Sequence, residues 1–175
     1  MNKRLKKLHL ALKALDIKPT RPRSKAVQAS IFLAQVRGCG IFDPIDQTGY
    51  FFKWHGGPYS SRLSENYDEL VMQLWFENAT GYSDMSSTPL ASRAKSVYNI
   101  VDPKGGISFA NWTEGVAAVA YLVGVGWKDE DVVRECKDVL DVFLDVDAHY
   151  ENLKYQAQKI IKPTSWKVFE VDVNC

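Results

Sequence analysis

Residues 50–70, YFFKWHGGPYSSRLSENYDEL, decide how this chain is to be read. Tyr50, Phe52 and Trp54 alternate with Phe51, Lys53 and His55, the period of two that belongs to a short strand with one aromatic face turned inward. Gly56-Gly57-Pro58 ends that strand: two glycines permit a sharp reversal that a Cβ would resist, and Pro58 fixes φ just ahead of Ser60 and Ser61. Either serine can cap a helix. Beyond them Leu63, Tyr67, Leu70, Val71 and Leu74 recur at intervals of three and four, which predicts a helix from about Ser60 that buries this stripe. Its outward positions then include Arg62, Glu65, Asn66 and Glu69.

Upstream, Leu5, Leu8, Leu12 and Leu15 share one face of a helix over about residues 2–16, with Lys3, Lys6, Lys7 and Lys13 around the others. Residues 17–23, IKPTRPR, hold two prolines and no apolar period, so they read as an extended linker whose Arg21 and Arg23 make a short basic arm. Such arms can enter a minor groove, although most remain in solvent. Ser24 is the expected N-cap of a second helix reaching about Arg37, with Val27, Ile31 and Ala34 inside and Gly38-Cys39-Gly40 as its stop.

Downstream, residues 76–87 are polar and aperiodic and read as a loop or wing. Thr88-Pro89 has the form of an N-cap and first helical residue, opening a helix marked by Leu90, Ala94, Val97, Tyr98 and Val101. Residues 104–106, Lys-Gly-Gly, are the best internal boundary. Ser108 then caps a helix whose residues 116–125 are apolar all round, the mark of a central position. Two further helices follow, one from Asp129 and one from Asp145 or Asp147, before Pro163 and an alternating tail suited to an edge strand or another subunit. The expected organisation is a basic helix and linker over residues 1–23, a strand-containing part over 24–106 and a helical bundle with its tail over 107–175, together one unit. The fold class is α+β, mainly helical.

The pattern Lys25, Gln28, Ile31-Phe32-Leu33-Ala34-Gln35, then Tyr50-x-Phe52-x-Trp54, Gly57-Pro58-Tyr59-Ser60-x-x-Leu63 and Tyr67-x-x-Leu70 resembles the prokaryotic YwgA-like proteins and, more distantly, the antitoxin-associated Panacea domain. The resemblance is clearest over residues 20–75. It implies a winged helix-turn-helix N-terminal part followed by a helical bundle, and a role in defence or toxin-antitoxin loci. On that analogy the helix from Ser60 takes the place of a recognition helix.

The chain has 175 residues, 46% apolar and 25% charged, an ordinary composition for one soluble domain. No apolar run approaches the length of a membrane span, and the charged amino terminus does not read as a secretory signal, so a cytoplasmic protein without a membrane partner is expected. Cys39, Cys136 and Cys175 are odd in number and have no metal-site spacing, which suits reduced thiols. His9, His55 and His149 lie far apart, the acidic cluster of Asp141, Asp145, Asp147 and Glu151 lacks the glycine and spacing of a calcium loop, and no phosphate-loop or nucleophile signature is present. No cofactor or metal is expected, and the reading is non-catalytic.

Charge separates the remaining functions. Residues 1–25 carry nine Lys and Arg against Asp16 alone, a net of +8, so the other 150 residues sum to about −7, with the acidic excess concentrated over residues 127–151. A nucleic-acid binder needs cations where phosphates run. Arg21, Arg23 and Lys25 meet that demand, and Arg62 and Asn66 would be the base-reading side chains. The helix from Ser60, however, sets Arg62 against Glu65, Asp68 and Glu69. A protein-binding adaptor tolerates that acidity and would use Glu65 and Glu69 to engage a basic partner such as a toxin or nuclease, or its own basic end in a homodimer. Nucleic acid ranks first here, on fold analogy.

Overall fold

Leucines four and three apart on an otherwise cationic segment can form a stable helix only by docking, because an isolated helix of this length is marginal in water. Docking is what the computed structural model shows. It describes residues 1–20, 26–41, 51–54, 57–77 and 88–161. In α1 (Lys3–Ala14) the side chain of Asn2 accepts from Leu5 N, and Leu5, Leu8 and Leu12 are fully buried. Each contributes about 1.5–3 kcal/mol of apolar burial. The helix lies against α4 (Pro89–Ile100), α3 (Ser61–Glu77) and α2 (Ala26–Val36).

The mainly helical expectation holds, with seven helices among the described residues. At the centre is α5 (Phe109–Gly124), capped by the Ser108 hydroxyl, which accepts from Asn111 N at 3.2 Å. It packs on α2, on α6 (Asp129–Leu140) and on α7 (Val146–Ile161). Such contact on several sides requires apolar residues all round, as its sequence has. Ten of the eleven residues of α2 are buried too, so α2 and α5 form the middle of the core. Phe32 joins them, meeting Tyr121 edge-on at 5.9 Å and Phe51 at 5.2 Å.

Two short strands, β1 (Phe52–Trp54) and β2 (Gly57–Tyr59), pair antiparallel with Phe52 opposite Tyr59 and Trp54 opposite Gly57. This corrects three expectations. Gly57-Pro58-Tyr59 is itself a strand rather than a turn, and Pro58 is buried within it. Gly57 has no left-handed backbone and, among the described residues, open space where a Cβ would stand, so no reversal depends on it. Phe51, placed by alternation on the face opposite Phe52, is fully buried because its ring fills the gap beside Phe32. His55 and Gly56 lie outside the described residues.

Helix α3 starts where the sequence puts it, with Ser60 Oγ accepting from Leu63 N at 3.1 Å, but it runs to Glu77 and so takes in the first residues of the expected loop. The rest of that loop, the linker residues Arg21, Arg23 and Lys25, the expected cap Ser24 and the C-terminal tail lie outside the described residues. Thr88 Oγ1 caps α4 through Ala91 N, and Asp145 Oδ1 accepts from Ala148 N in the first turn of α7.

Three helices end in the same way. At α1, Asp16 N donates to Lys13 O and Ile17 N to Leu12 O; at α2, Gly38 N to Gln35 O and Cys39 N to Ala34 O; at α5, Gly126 N to Val123 O and Trp127 N to Leu122 O. These are Schellman closures, which need a residue at positive φ. Gly38 and Gly126 supply it at +89° and +95°, whereas Asp16 adopts +57° despite its Cβ.

Candidate nucleic-acid interface

The Gly-Pro-Tyr-Ser segment is held by a side chain from α2. Gln28 Nε2 donates to Ser60 O and to Ser64 Oγ, both at 2.9 Å, while its Oε1 accepts from Ser60 N at 2.9 Å. Ser64 Oγ in turn donates to the Tyr59 hydroxyl at 3.1 Å. One amide thereby satisfies both backbone groups of the nearly buried Ser60 and fixes the β2-to-α3 junction on α2. A second link runs from the segment that follows α1, where Thr20 N donates to the Tyr67 hydroxyl and that hydroxyl to Thr20 O, each at 3.0 Å. Tyr59 and Ser60 are thus joined to the fold rather than presented to a ligand.

On α3, Arg62, Glu65 and Glu69 are exposed as expected. Arg62 Nη1 lies 3.5 Å from Glu65 Oε2, and Glu69 accepts from Gln73 Nε2 at 3.3 Å, so the helix's outward cation already has a carboxylate beside it. Asn66 does not face outward. It is 6% exposed, because position 66 turns toward the flank of the Leu63–Leu70 stripe, and among the described residues its Nδ2 has no hydrogen-bond partner. A base-reading role for Asn66 therefore has no geometry behind it. Farther along, Met72, Trp75 and Phe76 are exposed, Trp75 by 78% and Phe76 by 70%, with their two rings 5.1 Å apart.

Cations converge elsewhere. Lys7 Nζ donates to Gly40 O at 2.9 Å and Arg93 Nη1 to Gly38 O at 2.6 Å. Arg37 donates through Nε to Ser96 Oγ at 3.1 Å and through Nη1 to Lys159 O at 2.9 Å. Helices α1, α2 and α4 contain no Asp or Glu. The carboxylates of the described residues lie chiefly on α3, α6 and α7, where several are paired: Asp129 with Lys154 and the Tyr150 hydroxyl, Asp147 with Lys137. The hydrogen bonds from Lys154 and Tyr150 hold the Asp129 carboxyl below the usual carboxylate range. Sequence reading missed Arg37 and Arg93 because they are 56 positions apart and meet only through the packing of α4 on α2.

Burial pushes the thiols of Cys39 and Cys136 up to about 12, so neither supplies the thiolate on which nucleophilic or redox chemistry depends. His149 stands edge-on to Trp112 at 5.5 Å and close against Gly105. Among the described residues no three His, Cys, Asp or Glu side chains are grouped to hold a metal ion, and no helix is long and apolar enough to cross a membrane. No family model, curated protein or solved structure matches the chain.

Proposed function

We propose that this protein is a non-catalytic regulatory protein of winged-helix type, antitoxin-like or defence-associated, that binds nucleic acid through its basic N-terminal segment. One observation carries the reading. Helix α1 has five cations and no carboxylate, and its leucine face is buried, which leaves Lys3, Lys6 and Lys13 exposed on a rigid support. A phosphate backbone is the ligand such a surface suits, since each contact releases condensed counterions. The likeness of the Gly-Pro-Tyr-Ser segment and its Gln28 partner to the YwgA-like pattern supports the winged-helix part of the reading, with α3 in the position of the recognition helix. The paired state of Arg62 favours backbone contacts over base readout. Titration of labelled duplex and single-stranded pools at about 50 and 200 mM salt tests it: affinity falls steeply across that range if phosphate contacts dominate. Absence of salt-sensitive binding by the folded protein at the lower salt refutes it.

A second reading has its own support. Glu65, Glu69, Met72 and Phe76 recur along one face of α3, acidic then apolar, with Trp75 beside them. That face suits a basic, amphipathic protein partner, as an adaptor would engage. Glu69→Lys with Phe76→Ser would then abolish capture of such a partner and leave nucleic-acid binding untouched.

A further inference from the structure

The loop that closes α2 is ringed by cations from distant parts of the chain. Lys7 reaches it from α1, Arg93 from α4, and Arg37 lies at its start and extends to the C-terminal end of α7. Part of this arrangement is structural, because cations beside helix C-termini offset the partial negative charge there, about −0.5 at each end. Two helix ends, α2 and α7, are involved. Among the described groups, three full positive charges against two such ends leave a surplus of roughly +2. Lys3, one turn before Lys7 on the same face of α1, is exposed, and so is Lys159, whose ammonium sits 4.4 Å over the Tyr155 ring. No carboxylate on α1, α2 or α4 opposes them.

The donors are also open to a ligand. A guanidinium has five N–H donors, of which the bonds above use two at Arg37 and one at Arg93. Gly38 and Gly40 put no side chain over the loop, Gly40 is exposed, and among the described residues nothing lies within 4 Å of the place a Cβ on Gly40 would occupy. A phosphate can therefore come close to the loop and meet unused donors from Arg37, Arg93 and Lys7 together.

We propose that loop 37–40, with Lys7, Arg37 and Arg93 and flanked by Lys3 and Lys159, is the surface on which the backbone phosphates of a nucleic acid sit. This rests on the nucleic-acid reading above and extends the phosphate contacts from the basic N-terminal segment to the seam between α1, α2 and α4. Recognition is then of the polyanion, with little dependence on base sequence.

The test is fluorescence anisotropy of the full chain with a short labelled duplex, its affinity followed against salt. Neutralising one phosphate contact lowers the slope of log K against log salt by about 0.9. Lys3→Gln, which breaks no hydrogen bond of the fold, and Arg93→Gln together should lower it by about 1.8 and weaken binding at low salt by roughly tenfold or more. Arg93→Lys should keep the slope, and Lys128→Gln, before the acidic helix α6, should change nothing. If the wild-type protein binds with steep salt dependence while Lys3→Gln and Arg93→Gln leave slope and affinity unchanged, this surface is wrong and the nucleic-acid reading stands. Equal losses in Arg93→Lys and Arg93→Gln, with a lowered melting temperature, mean a loop-holding role and overturn the proposal. No binding by the wild-type protein removes both.

Discussion

Replacing Gln28 by Met isolates the contribution of the bond network under the Gly-Pro-Tyr-Ser segment, because Met keeps the length and volume of Gln and offers neither its donor nor its acceptor. The consequences differ atom by atom. Ser60 O keeps the hydrogen bond from Ser64 N at 3.2 Å, and Ser64 Oγ keeps the Tyr59 hydroxyl at 3.1 Å. Ser60 N loses the Gln28 acceptor that pairs it and remains a donor in a residue that is almost fully buried. An unpaired buried donor costs about 1–3 kcal/mol, and the net loss of the amide's other bonds adds about 1. For a domain of this size, with about 2–4 °C per kcal/mol, the midpoint should fall by roughly 4–16 °C. Thermal and urea unfolding followed by far-UV circular dichroism measures it, the urea midpoint falling without a change in slope. Ser64→Ala, which leaves Ser60 N paired with Gln28, should cost clearly less. A midpoint lowered by under about 2 °C in Gln28→Met, or equal losses in the two variants, would refute the assignment of the cost to the Ser60 donor.

Gly57→Val should be nearly neutral in stability, within about 0.5 kcal/mol, while Pro58→Ala should cost about 1 kcal/mol through lost packing and a freer unfolded chain; urea midpoints of the two variants compare them. Asp16→Gly should raise the melting temperature by about 2–4 °C, since it relieves the positive φ and removes a carboxylate from the C-terminal end of α1, whereas Gly126→Ala should lower it by a similar amount. The His9 imidazole is held below its ordinary value by burial and then by Lys13. The unfolded chain thus binds the extra proton, and stability should rise with pH from the depressed folded value up to about 6.5. His9→Gln should flatten the melting temperature over that window, and an unaltered profile would show that His9 does not set it.

Much of the helical architecture was legible because its signals are local. Ser108, Thr88-Pro89 and Ser60 mark helix starts through bonds spanning three residues, and the apolar run after Trp112 announces a helix covered on all sides. Asn66 was misplaced because one stripe of a helix does not say how wide the buried face is; on α3 it takes in Ser64 and Asn66 as well as the apolar residues. The strand character of Gly57–Tyr59 was hidden by residues that favour turns, and it depends on a partner strand that pins its register. The cationic seam was invisible for a different reason: hydrophobic periodicity orders residues within an element, while the meeting of Lys7, Arg37 and Arg93 is decided by which helices pack together.

The burial of α2 has a consequence for dissecting the protein. Its ten buried residues find cover from α5 and α7, encoded more than 70 positions later, as well as from nearer elements. Arg37 reaches across the same interval to the Lys159 carbonyl, and Trp112 Nε1 and Asp102 N both donate to Gln156 Oε1, at 2.7 and 3.0 Å. A fragment ending at Gly106, the natural place to cut by sequence, would leave α2 apolar on nearly every side with half its covering absent. Such a fragment should aggregate rather than fold, and during synthesis the N-terminal half must wait for α5 before its own core can close. Amide exchange should reflect the same dependence, with α2 and α5 opening together although they are separated by the whole of the hairpin, α3 and α4.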